Sequence, residues 1–194
     1  FNLNSIKKIN YSCLNLNYMI YFRKKEEFMD NYICKIASFE EMNTKWDYEI
    51  EHASKKENWI IWKMENIKNM VENKIIPYYG ILDGKIICEA TANIDKDIVQ
   101  NSDGIIDKNT AYLSAFRTNT DYQSKGYFSR LFKFMIQDLK QKGYKSVTLG
   151  VEPSETKNMQ IYFKYGFTNF IKSDYEVYPD GTKILVLYYL KNLD

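Results

Sequence analysis

The sequence predicts a mixed α/β, or α+β, domain built around a single sheet. Three observations carry that expectation. From residue 31 onward, β-prone and helical runs follow the order β-α-α-β-β-β-α-β-α-β-β. Asp83-Gly84 sits between two apolar runs, the strongest short-range signal for a hairpin. A turn containing Gly126 joins a strand to a strongly amphipathic helix.

Each element follows from its local pattern. Residues 31–39 (NYICKIASF) alternate and are β-prone. The run that follows has helical spacing without Gly or Pro and breaks near Ser54 into two helices. Trp46, Ile50 and Ala53 mark the apolar face of the first. Trp59, Ile60, Met64, Ile67 and Val71 mark that of the second, which Lys74 closes. Residues 75–94 form the hairpin around Asp83-Gly84, a polar loop covers 95–110, and 111–119 read as a central strand. From Gly126 to Lys142, Phe128, Leu131, Phe132, Met135, Ile136 and Leu139 share one helical face, with Gly143 as the stop. Residues 146–151 are a short buried strand. A helix capped by Ser154 runs to Gly166, and the remainder is a strand, a Pro-Asp-Gly turn and a strand.

Composition bounds the function. The chain of 194 residues is 45% hydrophobic and 27% charged, enough to bury the core of one domain and stay soluble. A formal charge of +2, with Lys and Arg scattered among acids, argues against nucleic acid and anionic membranes as partners. Three cysteines without C-x-x-C spacing and a single histidine, His52, argue against a disulfide framework and a metal site and fit a reducing cytoplasm.

Residues 1–28 have a separate explanation. Lys24-Lys25-Glu26-Glu27-Phe28 lies directly before Met29 and can be encoded by a purine-rich run resembling a bacterial ribosome-binding sequence. We therefore expect 1–28 to be translated leader and 29–194 to be the functional domain; a genuine N-terminal arm is the other reading. The segment contributes a net +3, so the remainder stands at −1 and the basic character carries no functional weight.

The chemistry concentrates at the glycine turn. The first turn of a helix presents unpaired N–H groups and a partial positive charge, and binds phosphate readily. Glycine lets a ligand approach the backbone. Gln123-Ser124-Lys125-Gly126-Tyr127-Phe128 is thus a candidate pyrophosphate cradle, as well as a plausible plain strand-to-helix turn. It resembles the acyl-CoA-binding motif of the GNAT superfamily of N-acetyltransferases, Gln/Arg-x-x-Gly-x-Gly/Ala. Phe128 departs from that pattern; its helical position puts it on the apolar face, leaving backbone N–H groups from Ser124 to Ser129 for the ligand. A second segment, NMQIYFKYGF, resembles the family's helix ending in Tyr-x-x-x-Gly-Phe, with Tyr162, Gly166 and Phe167 matching. The asparagine the family often carries seven residues before that tyrosine is Glu155 here, with Asn158 nearby.

The resemblance implies a strongly twisted mixed sheet of about six to seven strands with helices on both faces. It also implies acetyl-CoA as co-substrate, no metal, and an amine acceptor. Phe116, Arg117 and Thr118 would lie along the pantetheine arm, where a backbone N–H could stabilise the oxyanion. Tyr162 would be the general acid: a phenol of pKa about 10 can protonate a thiolate of about 8.5 when well placed. Core packing is the other role open to Tyr162. Glu89, facing opposite to Cys88 and Ala90, is a candidate general base or a solvent-facing strand residue; Asp121 is a weaker candidate and suits a turn. A domain that holds acyl-CoA without turnover, as a sensor, is the alternative function, and an assembly protein with an aromatic surface is a third. The residues choosing the acceptor are expected in the two early helices and the 95–110 loop, where Glu49, Glu51, Glu65 and Glu72 would attract a cation or simply be solvated. No pattern dictates a homodimer, though the C-terminal strands leave one open.

Overall fold

The computed structural model describes residues 31–54 and 56–193. The expected leader, 1–28, lies outside them. The elements in chain order are β1 (Tyr32–Ile36), α1 (Phe39–His52), α2 (Lys56–Val71), β2 (Ile75–Leu82), β3 (Lys85–Asn93), β4 (Thr110–Thr118), α3 (Tyr127–Gln141), β5 (Ser146–Val151), α4 (Thr156–Lys164), β6 (Asn169–Val177) and β7 (Lys183–Asn192). Short 3-10 turns at Lys96–Ile98 and Thr120–Tyr122 flank β4.

The seven strands form one sheet in the order β1-β2-β3-β4-β5-β7-β6. Every neighbouring pair is antiparallel except β4 and β5, which are parallel. Asp83 and Gly84 link β2 to β3 with φ of 48° and 78°, the two left-handed residues that a tight hairpin turn requires. Alternation along β2 sends Tyr78 to one face and Tyr79 to the other. On the Tyr78 face, α3 buries Leu131, Phe132, Met135 and Leu139 against Ala90, Ala92, Leu113 and Leu149. On the Tyr79 face, α1 and α2 pack Met42, Trp46, Trp59 and Ile67 against Ile75 and Ile81. Helices therefore cover both faces, as expected.

Local chemistry explains the boundaries. Ser38 caps α1 in a reciprocal box: its hydroxyl accepts from the Glu41 N–H at 3.2 Å, and the Glu41 carboxylate accepts from the Ser38 N–H at 2.8 Å. α2 stops at Val71 because Asn73 turns left-handed, with φ 56°, so Lys74 lies beyond the helix.

Two local expectations are corrected. On α2, Trp59 and Ile67 face the core as expected, but Ile60, Met64 and Val71 are exposed at 46%, 68% and 66%, and Trp62 and Met70 pack inward in their place. This helix is apolar on more than one side, and the Trp62 ring, edge-on to Trp59 and to Tyr178, selects the buried one. At α4 the N-cap is Glu155, without a side-chain bond, rather than Ser154. The Ser154 carbonyl accepts from the Thr156 N–H at 3.0 Å, so a backbone turn takes the place of a hydroxyl cap.

Two features of β4 prepare the site. Its pairing with β5 runs from Thr110–Ser146 to Leu113–Leu149 and stops, although β4 continues to Thr118. Its register with β3 jumps between Thr91–Ser114 and Glu89–Arg117, so Ala115 and Phe116 together face one residue of β3. Ala115 occupies the left-handed region, with φ 55°. A bulge of this kind bends and twists the strand, and here it lies where β4 parts from β5.

Candidate active site

The turn after β4 is closed by its own side chains. Asn119 accepts from the Asp121 N–H at 3.3 Å, and the Gln123 amide donates to the Thr118 carbonyl at 3.1 Å. Ser124 and Gly126 are left-handed, with φ of 60° and 85°. Gly126 is the N-cap of α3 and has no side chain to bond the first turn. The first turn of α3 therefore receives no side-chain bond from its N-cap residue, which suits an anion site. A Cβ on Gly126 would meet nothing within 4 Å. Backbone conformation demands glycine here, and the open space in front of it is free for a ligand.

A cleft of 530 Å³ opens at this turn. Gln123, Ser124, Gly126, Tyr127, Phe128 and Ser129 line one side of it, and Phe116, Arg117 and Thr118 of β4 the floor. Asn158 and Tyr162 of α4 complete the far wall. All the residues singled out for cofactor binding thus converge, save Lys125, whose ammonium lies 5.6 Å from the Tyr122 ring centroid and does not line the cleft.

Phe128 is half-buried, and its location refines the expectation drawn from helical spacing. Its ring packs on Phe116 at 5.2 Å and near Tyr165 at 6.2 Å, joining the edge of the core while still forming cleft wall. The α3 terminus thus keeps its N–H groups, with an aromatic wall in place of a small residue. Tyr165, unremarked in the sequence, supports this wall: it stacks on Phe132 at 4.3 Å, and its hydroxyl lies 2.9 Å from Ser129 Oγ. With 17 tyrosines in the chain, nothing in the sequence distinguishes it.

Tyr162 meets Phe116 edge-on at 5.7 Å, beside the β4 bulge. Burial, with the Glu155 charge adding to it, pushes its phenol up to about 12. Tyr162 therefore holds its proton through the neutral range and gives it up less readily than an ordinary phenol.

A second cleft, of 870 Å³, lies on the other side of β4 and shares Phe116, Arg117, Thr118, Tyr122, Gln123 and Asn158 with the first. Glu89 lines it and is buried, at 6% exposure, rather than facing solvent. Its Oε1 lies 3.1 Å from Arg117 Nε and 3.5 Å from Lys45 Nζ. Lys45 also pairs with Glu49, one helical turn on. Burial pulls the Lys45 ammonium below its ordinary value, and Arg117 adds to that, although the Glu89 charge opposes it. The Arg117 guanidinium is 4.6 Å from the Trp59 ring and 5.7 Å from Trp46. The sequence shows Lys45 and Glu49 as an ordinary i,i+4 pair; only the fold brings β3 and β4 beneath them.

Asp121 is an exposed 3-10 turn residue and lines the same cleft. From α1, Thr44, Lys45, Tyr48 and Glu49 reach it; Glu51, Glu65 and Glu72 do not. The 95–110 loop lines neither cleft. Its Gln100 and Asn101 bond to β6 at the Val177 and Tyr175 carbonyls, at 2.9 and 3.0 Å, which holds the loop on the far edge of the sheet.

A parted parallel strand pair, a bulge and an uncapped helix start define a class of protein, and sequence comparison agrees. Residues 36–167 match the acetyltransferase (GNAT) family, so the chain belongs to that family and is an acyltransferase. Comparison with curated proteins finds no match. Solved structures share the fold. An N-acetyltransferase from Staphylococcus aureus Mu50 is 16% identical with a TM-score of 0.61, over 84% of this chain and 99% of that one. The ribosomal-protein-S18-alanine N-acetyltransferase from Escherichia coli is 18% identical with a TM-score of 0.59, over 84% and 94%. The structure of yncA from Salmonella typhimurium, with its cofactor acetyl-CoA, is 12% identical with a TM-score of 0.59, over 84% and 94%.

Proposed function

We propose that this protein transfers an acetyl group from acetyl-CoA to a primary amine of a small molecule or peptide, by direct attack. The observation that carries this reading is the continuity of the site. An uncapped helix start, an unpaired strand edge and a buried carboxylate follow one another along two clefts that share Phe116–Thr118. Diphosphate suits the N–H groups of Tyr127–Ser129. The pantetheine amides suit the edge of β4 beyond Leu113, which β5 leaves unpaired. The thioester then falls near the bulge, where a β4 N–H could stabilise the oxyanion.

The acceptor enters from the second cleft. Glu89 takes the proton of the attacking amine, directly or through water, and Tyr162 returns one to the departing thiolate. Both roles need only proton transfer over hydrogen-bond distances. Among the described residues no helix is long and apolar enough to cross a membrane. Cys34 and Cys88 are free thiols, as suits the reducing cytoplasm where we place the protein.

Two observations favour a second reading, a domain that binds acyl-CoA without turnover. Phe128 narrows the cradle with an aromatic wall, and Glu89 is already engaged by Arg117 and Lys45. Thiol release from acetyl-CoA, measured with a panel of amines, amino acids and N-terminal peptides, separates the two. Amine-dependent release supports transfer. Tight binding without release by any amine favours the sensor.

A further inference from the structure

We propose that Tyr32, on the edge strand β1, is a positioning residue for the cofactor, fixing the first turn of α3 from below; the inference rests on the acetyl-CoA reading above. The phenol reaches out of the strand to donate to the Tyr127 carbonyl at 2.9 Å. Tyr127 opens α3, directly after its N-cap Gly126, and lines the cradle. A carbonyl has two lone pairs, so this bond adds to the intrahelical one rather than replacing it.

The rest of β1 and β2 is arranged around that reach. The register places Gly80 between Cys34 and Cys88 on one row across the sheet. A Cβ on Gly80 would lie 1.9 Å from the Tyr32 hydroxyl and 2.6 Å from the ring carbon that bears it. Gly80 is therefore the opening through which the phenol passes. Tyr32 is 5% exposed, and burial pushes its phenol far above the ordinary value, which favours the protonated, donating form. The contact runs in both directions. The Arg130 guanidinium donates to the Tyr32 carbonyl at 3.1 Å and lies 4.5 Å from its ring centroid. The Tyr32 and Tyr127 rings are 4.8 Å apart.

The physical consequence is preorganisation. The start of a helix frays readily, and a ligand that must order it binds more weakly. The left-handed residues Ser124 and Gly126 lead into this turn without a side-chain cap, so its geometry depends on what holds it from the protein side. Tyr32 supplies a hydrogen bond where the cap residue supplies none.

The test compares wild-type protein, Tyr32→Phe, Gly80→Ala, Tyr32→Ala and the Tyr32→Ala/Gly80→Ala double variant for acetyl-CoA Kd by calorimetry and for unliganded Tm. Tyr32→Phe keeps the ring and its contacts with Arg130 and Tyr127. It should weaken acetyl-CoA about fivefold, the value of one lost hydrogen bond, and lower Tm by only a few degrees. Gly80→Ala should weaken binding at least as much in the wild-type background and have no effect on Kd added to Tyr32→Ala, where the phenol it displaces is gone. A wild-type Kd in Tyr32→Phe would overturn the proposal, as would a lowered Tm with unchanged Kd, the mark of a core residue alone. Wild-type protein that is folded yet binds no acetyl-CoA would overturn this proposal and the proposed function together, whereas binding that Tyr32→Phe leaves intact sinks this one only.

Discussion

Tyr162 and Glu89 are the residues on which the proposed chemistry turns, and they are opposite cases of burial. Tyr162 is surrounded by aromatic rings and held protonated up to about 12. Because its proton affinity is raised, the acid form persists as pH rises. Turnover should therefore show no alkaline decline assignable to Tyr162 between about pH 7 and about pH 10, whereas an unshifted phenol would begin to lose its proton in that range. Tyr162→Phe should lower kcat about a hundredfold with little change in acetyl-CoA affinity. An unchanged kcat would return Tyr162 to core packing. Glu89 is buried between the charges of Arg117 and Lys45, with Tyr79 opposite it on β2. Glu89→Gln leaves Arg117 short of its closest anion; with the Arg117 side chain 34% exposed, the loss should lie between that of a surface pair and a buried one, about 2 kcal/mol. Urea unfolding should show that loss alongside the fall in turnover. A variant as stable as wild type would mean the Arg117 contact is solvated and weak.

In the proposed function, the α3 turn is the element that decides whether acetyl-CoA binds. Gly126→Ala places a side chain in a left-handed conformation and should cost about 1 kcal/mol from strain alone, since no atom within 4 Å would clash with the added methyl group. Phe128→Ala removes a half-buried ring from Phe116 and Tyr165. We expect it to lower stability by about 2 kcal/mol while acetyl-CoA Kd stays within about threefold. A large gain in affinity would show that Phe128 obstructs the cradle. Elements of this kind were legible where one rule decides them. Helical spacing identified Leu131, Phe132, Met135 and Leu139, and Asp83-Gly84 announced its turn. Legibility failed where packing decides between equals. Ile60 and Trp62 on α2 are both apolar, and only the position of Tyr178, over a hundred residues away, says which is buried. The β4 bulge has no local signal, because Ala115 is an ordinary strand residue until its partners are known.

At the scale of the whole molecule, the site exists because one sheet changes its partners midway. β4 holds β3 along its length and β5 for only four residues, and the clefts lie around the part that β5 leaves free. The sequence motifs pointed to one end of this arrangement, the glycine turn and Tyr162. The Lys45–Glu49–Glu89–Arg117 cluster was hidden, since its members come from α1, β3 and β4 and no spacing links them. The most direct test of the account is thermal unfolding of the full chain with acetyl-CoA and with desulfo-CoA. A ligand bound only by the folded state adds about 2.7 kcal/mol at a hundredfold excess over Kd. The account predicts a clear upward shift with both, because the diphosphate cradle rather than the sulfur supplies the binding. A well-folded sample whose unfolding neither ligand shifts would contradict it.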